Sequence, residues 1–260
     1  MTNRKYNLKP AHPEHHGLLF GLEHFSVPTP ALPEAFDIRT TSHCFPPVLD
    51  QGDLGCCAGN EVSNALRFCI GKEFGMQCEW QPSRLFVYYF GRSLDGSPLN
   101  EDTGMSINSA FESVKRYGVC KEDIWQYDIT KFSQEPPADG LTVAKSHIPG
   151  FNYLSIQQDL VHLKQALVAG WPVVFGIQVY SSFESEEVAK TGVVPMPSAD
   201  EEYLGGHCVL LCGYDDKTKT FICSNSWGTE WGQHGFFTLP YNFVSNKELS
   251  SQFYQARYFK

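Results

Sequence analysis

A thiol attacks a carbonyl at neutral pH only when its surroundings lower its pKa. Cys57 closes the run Gln51-Gly52-Asp53-Leu54-Gly55-Cys56-Cys57 and directly precedes Ala58, Val62, Ala65, Leu66 and Cys69. Those spacings of four, three, one and three residues mark one face of an amphipathic helix. The positive N-terminal end of that helix favours a thiolate. A proton shuttle is also needed, and Gly206-His207 and Asn225-Ser226-Trp227-Gly228 lie far downstream. An imidazole takes the thiol proton and delivers it to a leaving amine. An amide fixes the imidazole's orientation without adding a negative charge. Gln51, six residues before Cys57, offers a side-chain amide that could donate to an oxyanion. The chemistry these residue types allow is acyl-group hydrolysis through a thioester.

Taken singly, each residue has a plainer reading. A cysteine at a helix start is more often a small buried residue, a lone strand histidine a core residue, and Gln or Asn a turn amide. Their order and spacing outweigh those readings. His207 follows Cys57 by 150 positions, and Asn225 opens Asn225-Ser226-Trp227-Gly228-Thr229-Glu230-Trp231-Gly232. The ordered set resembles the papain family of cysteine peptidases from about Phe36 to the end. Phe36-Asp37-Ile38-Arg39 is similar to the start of a mature enzyme of that family. Pro47-Val48-Leu49-Asp50-Gln51-Gly52 is similar to its active-site lead-in, and His207-Cys208-Val209-Leu210-Leu211-Cys212-Gly213-Tyr214 to its histidine strand. Two departures stand out. Ala58 replaces the usual aromatic residue, and Leu54-Gly55-Cys56-Cys57 replaces the first cysteine of the usual motif while doubling the last. Gly205-Gly206, Pro195-Met196-Pro197 and Leu239-Pro240-Tyr241 most resemble the bacterial and viral branch.

The resemblance implies an α+β, two-lobed fold. Its helical half carries Cys57, its antiparallel, barrel-like half carries His207 and Asn225, and the cleft lies between them. It implies a Cys57, His207, Asn225 triad with Gln51 and the Cys57 backbone N–H as oxyanion donors, acting on a protein or peptide substrate. Gly104, Gly205, Gly206 and Trp227 are the implied substrate-side residues, with an apolar pocket for the substrate's second residue. Neither a metal nor a cofactor is expected.

Composition sets further bounds. The 260 residues suffice for a substantial core. A net charge of −9, with no basic run longer than Arg4-Lys5, speaks against nucleic-acid binding. No stretch approaches the roughly 18 to 20 apolar residues of a membrane span. Tyr6 to Gly17 is too polar for a signal-peptide core. The nine cysteines are an odd number without a scaffold-like spacing, which reads as mostly reduced thiols in an intracellular setting. The resemblance to the bacterial and viral branch implies a viral or bacterial protein acting in a host. A monomer is the expectation.

Residues 1–35 differ from the rest. Pro10, Pro13, Pro28, Pro30 and Pro33 exclude helix, and His12, His15, His16 and His24 cluster among them. This arm is expected either to be a surface-wrapping or partly disordered tail or to act as a short propeptide-like segment that covers the cleft or is clipped before Phe36. The catalytic domain is expected over 36–260, helical over about 37–145 and sheet-rich over about 146–260. Helices are predicted after Cys57, from Pro82-Ser83, over Ile107 to Tyr117 and over Leu160 to Leu167. Strands are predicted at Pro172 to Ile177, Val209 to Tyr214 and Phe221 to Ser224. The acidic runs at 182–187 and 200–202 read as solvated loops, with attraction of basic substrates as the second reading. Two competing functions use the same residues: an acyl transferase or peptide ligase, and a catalytically silent binding protein. A structural zinc site at Cys56, Cys57, Cys69 and Cys78, or at His207, Cys208 and Cys212, is disfavoured by the lack of any Cys-x-x-Cys pair.

Overall fold

A computed structural model describes residues 4–19, 32–74, 81–147 and 150–258. His24, Pro28, Pro30 and Cys78 lie outside the described residues. After a short strand β1 (Leu18–Leu19) come β2 (Ala35–Asp37) and a single-turn helix α1 (Ile38–Thr41), whose Arg39 N–H is capped by the Asp37 carboxylate. Helix α2 (Cys57–Phe74) then runs through the middle of the molecule. Every residue from Cys57 to Leu66 is buried, because small side chains on the helix let neighbours close in from all sides. A Cβ at Gly59, for example, would lie 2.5 Å from Cys56 Sγ.

Helix α3 (Arg84–Leu94) starts at a hydroxyl: Ser83 Oγ accepts from the Phe86 N–H at 3.3 Å. Pro82 therefore precedes the cap rather than sitting in the first turn, as its sequence position suggested. Helix α4 (Ile107–Tyr117) begins the same way at Ser106 and stops at Gly118, whose φ of 75° suits glycine and whose N–H bonds Val114 O at 2.8 Å. Helices α2, α3 and α4 pack together and, with α5 (Ala138–His147), form the helical side.

The rest is organised around a sheet. Its strands are β3 (Phe151–Ser155), β4 (Val173–Tyr180), β5 (Tyr203–Asp215), β6 (Thr220–Ser224), β7 (Phe236–Pro240) and β8 (Ser250–Tyr258). The order is β1-β3-β8-β4-β5-β6-β7, with β2 paired to the far end of β5. All pairings are antiparallel except β1 with β3, and among the described residues the path is open rather than a closed barrel. Three shorter helices flank it: α6 (Leu160–Val168), α7 (Glu186–Thr191) and α8 (Tyr241–Ser245). Residues Gly206 to Tyr214 of β5 are all buried, because α2 covers one face and α6 packs nearby, so this strand lacks two-residue alternation. The α2–β5 contact brings the start of the helix to the histidine strand.

Candidate active site

Cys57 is the first residue of α2 and His207 lies on β5; both are buried. The N–H groups of Cys57, Ala58 and Cys208 are directed at the Cys57 sulfur, which places the thiol against the residue that follows His207. His207 Nε2–H donates to Asn225 Oδ1 at 2.8 Å. An amide oxygen only accepts, so this bond fixes the tautomer and leaves Nδ1 without a hydrogen-bond partner among the described residues. Trp227 stacks on the imidazole with ring centroids 5.0 Å apart and is backed by Phe183 and Trp231. The Asn225 backbone is held by Gly235 O at 2.9 Å.

The loop carrying Gln51 is stitched to the Asn225–Trp227 segment. Gln51 N–H donates to Ser226 O at 2.9 Å, Gly228 N–H to Leu49 O at 3.0 Å, and Ser226 Oγ–H to Gln51 Oε1 at 2.7 Å. The hydroxyl thereby orients the amide. Its Nε2 faces the other way and donates one N–H to Leu54 O at 3.0 Å, and among the described residues the second N–H has no acceptor and is left for a ligand. Tyr127 Oη–H donates to Gln51 O at 2.9 Å, and Arg84 Nη1 to Asp50 O at 2.9 Å. Arg84 is held by Glu122 at 2.7 Å and lies over the Tyr127 ring. Gly52 turns the loop with a φ of 60°.

Cys56 points away from the cleft, its thiol directed at Arg84 O, which distinguishes it from Cys57. Cys56, Cys57, Cys69, Cys120, Cys208, Cys212 and Cys223 are buried, reduced thiols. Among the described residues no three His, Cys, Asp or Glu side chains are placed to hold a metal ion.

The arm lies in the cleft. The Arg4 guanidinium sits 3.8 Å from the centre of the Trp227 ring, and Tyr6 meets both His207 and Trp227 edge-on while its hydroxyl bonds Glu184. Leu8 N–H donates to Gly206 O at 3.1 Å and Lys9 N–H to Met105 O at 3.2 Å. Asn7 pairs with Gly206 in parallel sense, and its side chain donates to Asp102 O at 3.0 Å. The three glycines named from the sequence are the contact points. A Cβ at Gly104 would overlap the Asn7 carbonyl, one at Gly205 the Tyr6 carbonyl, and one at Gly206 would lie 3.0 Å from Leu8 O. Leu8 packs against Gly176 of β4, where a Cβ would come within 2.7 Å of its methyl. Beyond the cleft, His12 and His15 stack at 4.2 Å. Their carbonyls accept from Asn108 Nδ2 at 2.8 Å each, and His15 Nδ1 meets Ser109 Oγ at 2.9 Å.

Burial reverses the electrostatics that the sequence suggests. With the arm in place, desolvation pushes the Cys57 thiol up to about 12 despite the three N–H groups around it. Burial lowers His207 to about 4, the Asn225 bond opposing that shift and the Arg4 charge adding to it. The pair therefore rests as a neutral thiol and a neutral imidazole. Sequence reasoning missed Ser226, Asp102, Glu184, Arg4 and Tyr6. The basic Arg4 and Lys5 opposite acidic loops were the signal available.

This constellation, a helix-start thiol against the strand that carries an asparagine-bonded imidazole, on a helical side joined to an antiparallel sheet, is that of a thiol hydrolase. The model of the papain family cysteine proteases matches residues 97–256. A peptidase C1-like protein of Acanthamoeba polyphaga mimivirus is 39% identical over 213 residues, covering 79% of this chain and 68% of its own. Chicken (Gallus gallus) cathepsin K is 31% identical over 214 residues, covering 81% of this chain and 59% of its own. Among solved structures, xylellain, a cysteine protease from Xylella fastidiosa, superposes with a TM-score of 0.84 at 29% identity, covering 100% of this chain and 98% of that one. The chain belongs to the papain family of cysteine proteases and is a cysteine-type peptidase.

Proposed function

We propose that the chain hydrolyses peptide bonds with Cys57 as nucleophile, His207 as proton shuttle and Asn225 as the group that orients it. The supporting observation is the 2.8 Å bond from His207 Nε2 to Asn225 Oδ1, which frees Nδ1 for the thiol proton. Cys57 Sγ bonds the scissile carbonyl carbon after its proton passes to His207. The tetrahedral oxyanion accepts hydrogen bonds from the second Gln51 Nε2–H and from the Cys57 N–H. His207 then protonates the departing nitrogen, leaving a thioester, and accepts a proton from the water that hydrolyses it. Trp227 shields the His207–Asn225 bond from water. Gly104, Gly205 and Gly206 line the channel that takes an extended backbone, and Leu8 against Gly176 supports an apolar side chain in the neighbouring pocket.

In this reading residues 1–35 are an inhibitory arm and 36–260 the catalytic domain. The arm also runs the wrong way for cleavage. A leaving nitrogen must face His207, so the departing half of a substrate lies toward Trp227 and the acyl half toward Gly55 and Gly104. The arm has its N-terminal Arg4 at Trp227 and its later Asn7 to Lys9 on the Gly104 side, the opposite polarity.

A filled cleft and a neutral pair also fit a silent binding protein, and one experiment separates the two readings. Intact-mass labelling with a peptide vinyl sulfone, on native protein, Cys56→Ala and Cys57→Ala, is expected to give a single adduct that survives Cys56→Ala and vanishes in Cys57→Ala. No adduct in any form, even after mild acidification to loosen the arm, favours the silent fold.

A further inference from the structure

We infer that Asp102 is a recognition site for a lysine or arginine side chain on the acyl residue of the substrate, the residue whose carbonyl forms the thioester; this rests on the peptidase reading above. Asp102 lies two residues before Gly104 and its carboxylate accepts from the Gly55 N–H at 3.0 and 3.2 Å, so it backs the acyl half of the cleft two residues from the nucleophile. Its other protein partner is the hydroxyl of Tyr88, which in turn accepts from the Gly104 N–H at 3.2 Å. These donors are neutral, and they fix the carboxylate's position without cancelling its charge.

The cation comes from the arm. Lys5 Nζ reaches Asp102 Oδ2 at 2.6 Å, and the Asp102 side chain is only 8% exposed beneath it. Among the described residues Lys5 is the ammonium that pairs with this carboxylate, and its backbone lies between Arg4 at Trp227 and Tyr6 at His207, next to the reacting atoms. The buried Arg92 guanidinium behind the Tyr88 ring also acts electrostatically on Asp102, but its N–H groups are bonded to Leu99 O, Glu101 O and Phe132 O. Departure of the arm would therefore remove the ammonium bonded directly to the carboxylate, and a cationic substrate side chain would restore that bond. The ammonium of Lys5 thus marks the place that a substrate cation takes. An aspartate supplies two acceptor oxygens, so it serves the planar guanidinium of arginine as well as an ammonium.

The test compares kcat/KM for matched peptides carrying Lys, Arg, Met or Gln at the acyl position, in the full-length protein and in Asp102→Asn and Asp102→Glu. Within one enzyme the ratio of two kcat/KM values cancels the fraction of molecules with the arm open. Looser arm docking in Asp102→Asn therefore cannot imitate the effect. The expected result is a Lys/Met and Arg/Gln preference of roughly tenfold or more in the native protein, as befits a charge-assisted bond. It should be largely lost in Asp102→Asn, retained in Asp102→Glu, and weakened by added salt. Hydrolysis without a basic preference, or a preference unchanged in Asp102→Asn, overturns the inference while leaving the peptidase reading intact. Absence of hydrolysis of every peptide, together with absence of vinyl sulfone labelling, overturns the peptidase reading and this inference with it.

Discussion

The loop carrying Gln51 and the arm carrying Lys5 face the same cleft, yet they are fastened in different ways. The loop is bound to the sheet side by Gln51 N–H to Ser226 O, Gly228 N–H to Leu49 O and Ser226 Oγ to Gln51 Oε1, and to the helical side through Tyr127 and Arg84. Gln51, Ser226 and Arg84 among them are buried, and removing one strands a polar partner. The arm is held by two backbone bonds in the cleft, by side chains at half-exposed positions such as Lys5, and by the stacked histidines beyond. Within the cleft its Tyr6, Asn7 and Leu8 carbonyls rest on glycines that offer no side-chain grip. On the proposed reading, the first region stays rigid through catalysis and the second leaves.

That contrast orders the expected effects. The largest belongs to the loop's amide. Gln51→Ala removes an oxyanion donor and should lower kcat by about 10²–10³ with a small change in KM, measured on a peptide substrate after acid loosening of the arm. A loss seen only in KM would mean that Gln51 binds substrate rather than the oxyanion.

Ser226→Ala comes next. Without the hydroxyl on Oε1 the Gln51 amide can flip, and about tenfold in kcat should be lost, with weaker binding of a peptide aldehyde that mimics the tetrahedral state. Ser226→Thr should restore both. In a Gln51→Ala background Ser226→Ala should add little, and full additivity would show that Ser226 acts on packing alone.

The smallest effect is a graded one on the arm. His207 is held down from 6.5 to about 4 while the arm covers it, and His15 is lowered by burial and by the His12 charge. The groups facing His15 include Glu112 and Arg116 of α4 and Asp95, with Glu112 and Asp95 opposing the shift. A histidine whose pKa is depressed in the closed state binds its proton more readily when released. The Cys57–His207 pair holds one proton in either state, as thiol with neutral imidazole or as thiolate with imidazolium, so the linkage falls to His15: as pH falls below about 6.5 the released His15 takes up a proton that the closed form resists, and the closed form loses stability. Hydrogen exchange of the Leu8 and Lys9 amides should accelerate severalfold across that window, while the Gln51 amide stays protected. Equal acceleration in both regions would erase the contrast.

Much of the site was legible because its residues are ordered along the chain in a pattern that few other arrangements share. The structure gathers the segments that carry Gln51, Cys57, His207 and Asn225, helices α2, α4 and α6 follow from apolar periodicity, and the central strands β4, β5 and β6 follow from short apolar runs bounded by turn residues. The strand β8 was hidden because Ser250, Gln252 and Gln255 interrupt its pattern, although Gln255 is buried with Nε2 bonded to Trp171 O at 2.9 Å. Ser226 sat in plain view within the asparagine motif, but its role depends on which way a neighbouring amide faces, and sequence carries no orientation. The run 182–187 reads as solvated loop, yet Phe183 is buried behind Trp227 and Glu184 meets Tyr6, since three-dimensional proximity to the arm is invisible in one dimension. The charge state of Cys57 is the clearest case. Local residues favour a thiolate, whereas burial beneath the arm favours the thiol, and burial depends on how the whole chain closes.

The central claim is that a complete catalytic pair is held neutral by the chain's own arm. It is tested most directly by the pH dependence of iodoacetamide alkylation at Cys57, in the native protein and in an Arg4→Ala, Tyr6→Ala double variant that loosens the arm. The account predicts slow alkylation of the native chain throughout the neutral range and fast alkylation of the variant, with a plateau extending below pH 7 where the thiolate and imidazolium coexist. Identical rates and pH profiles in the two proteins would contradict it.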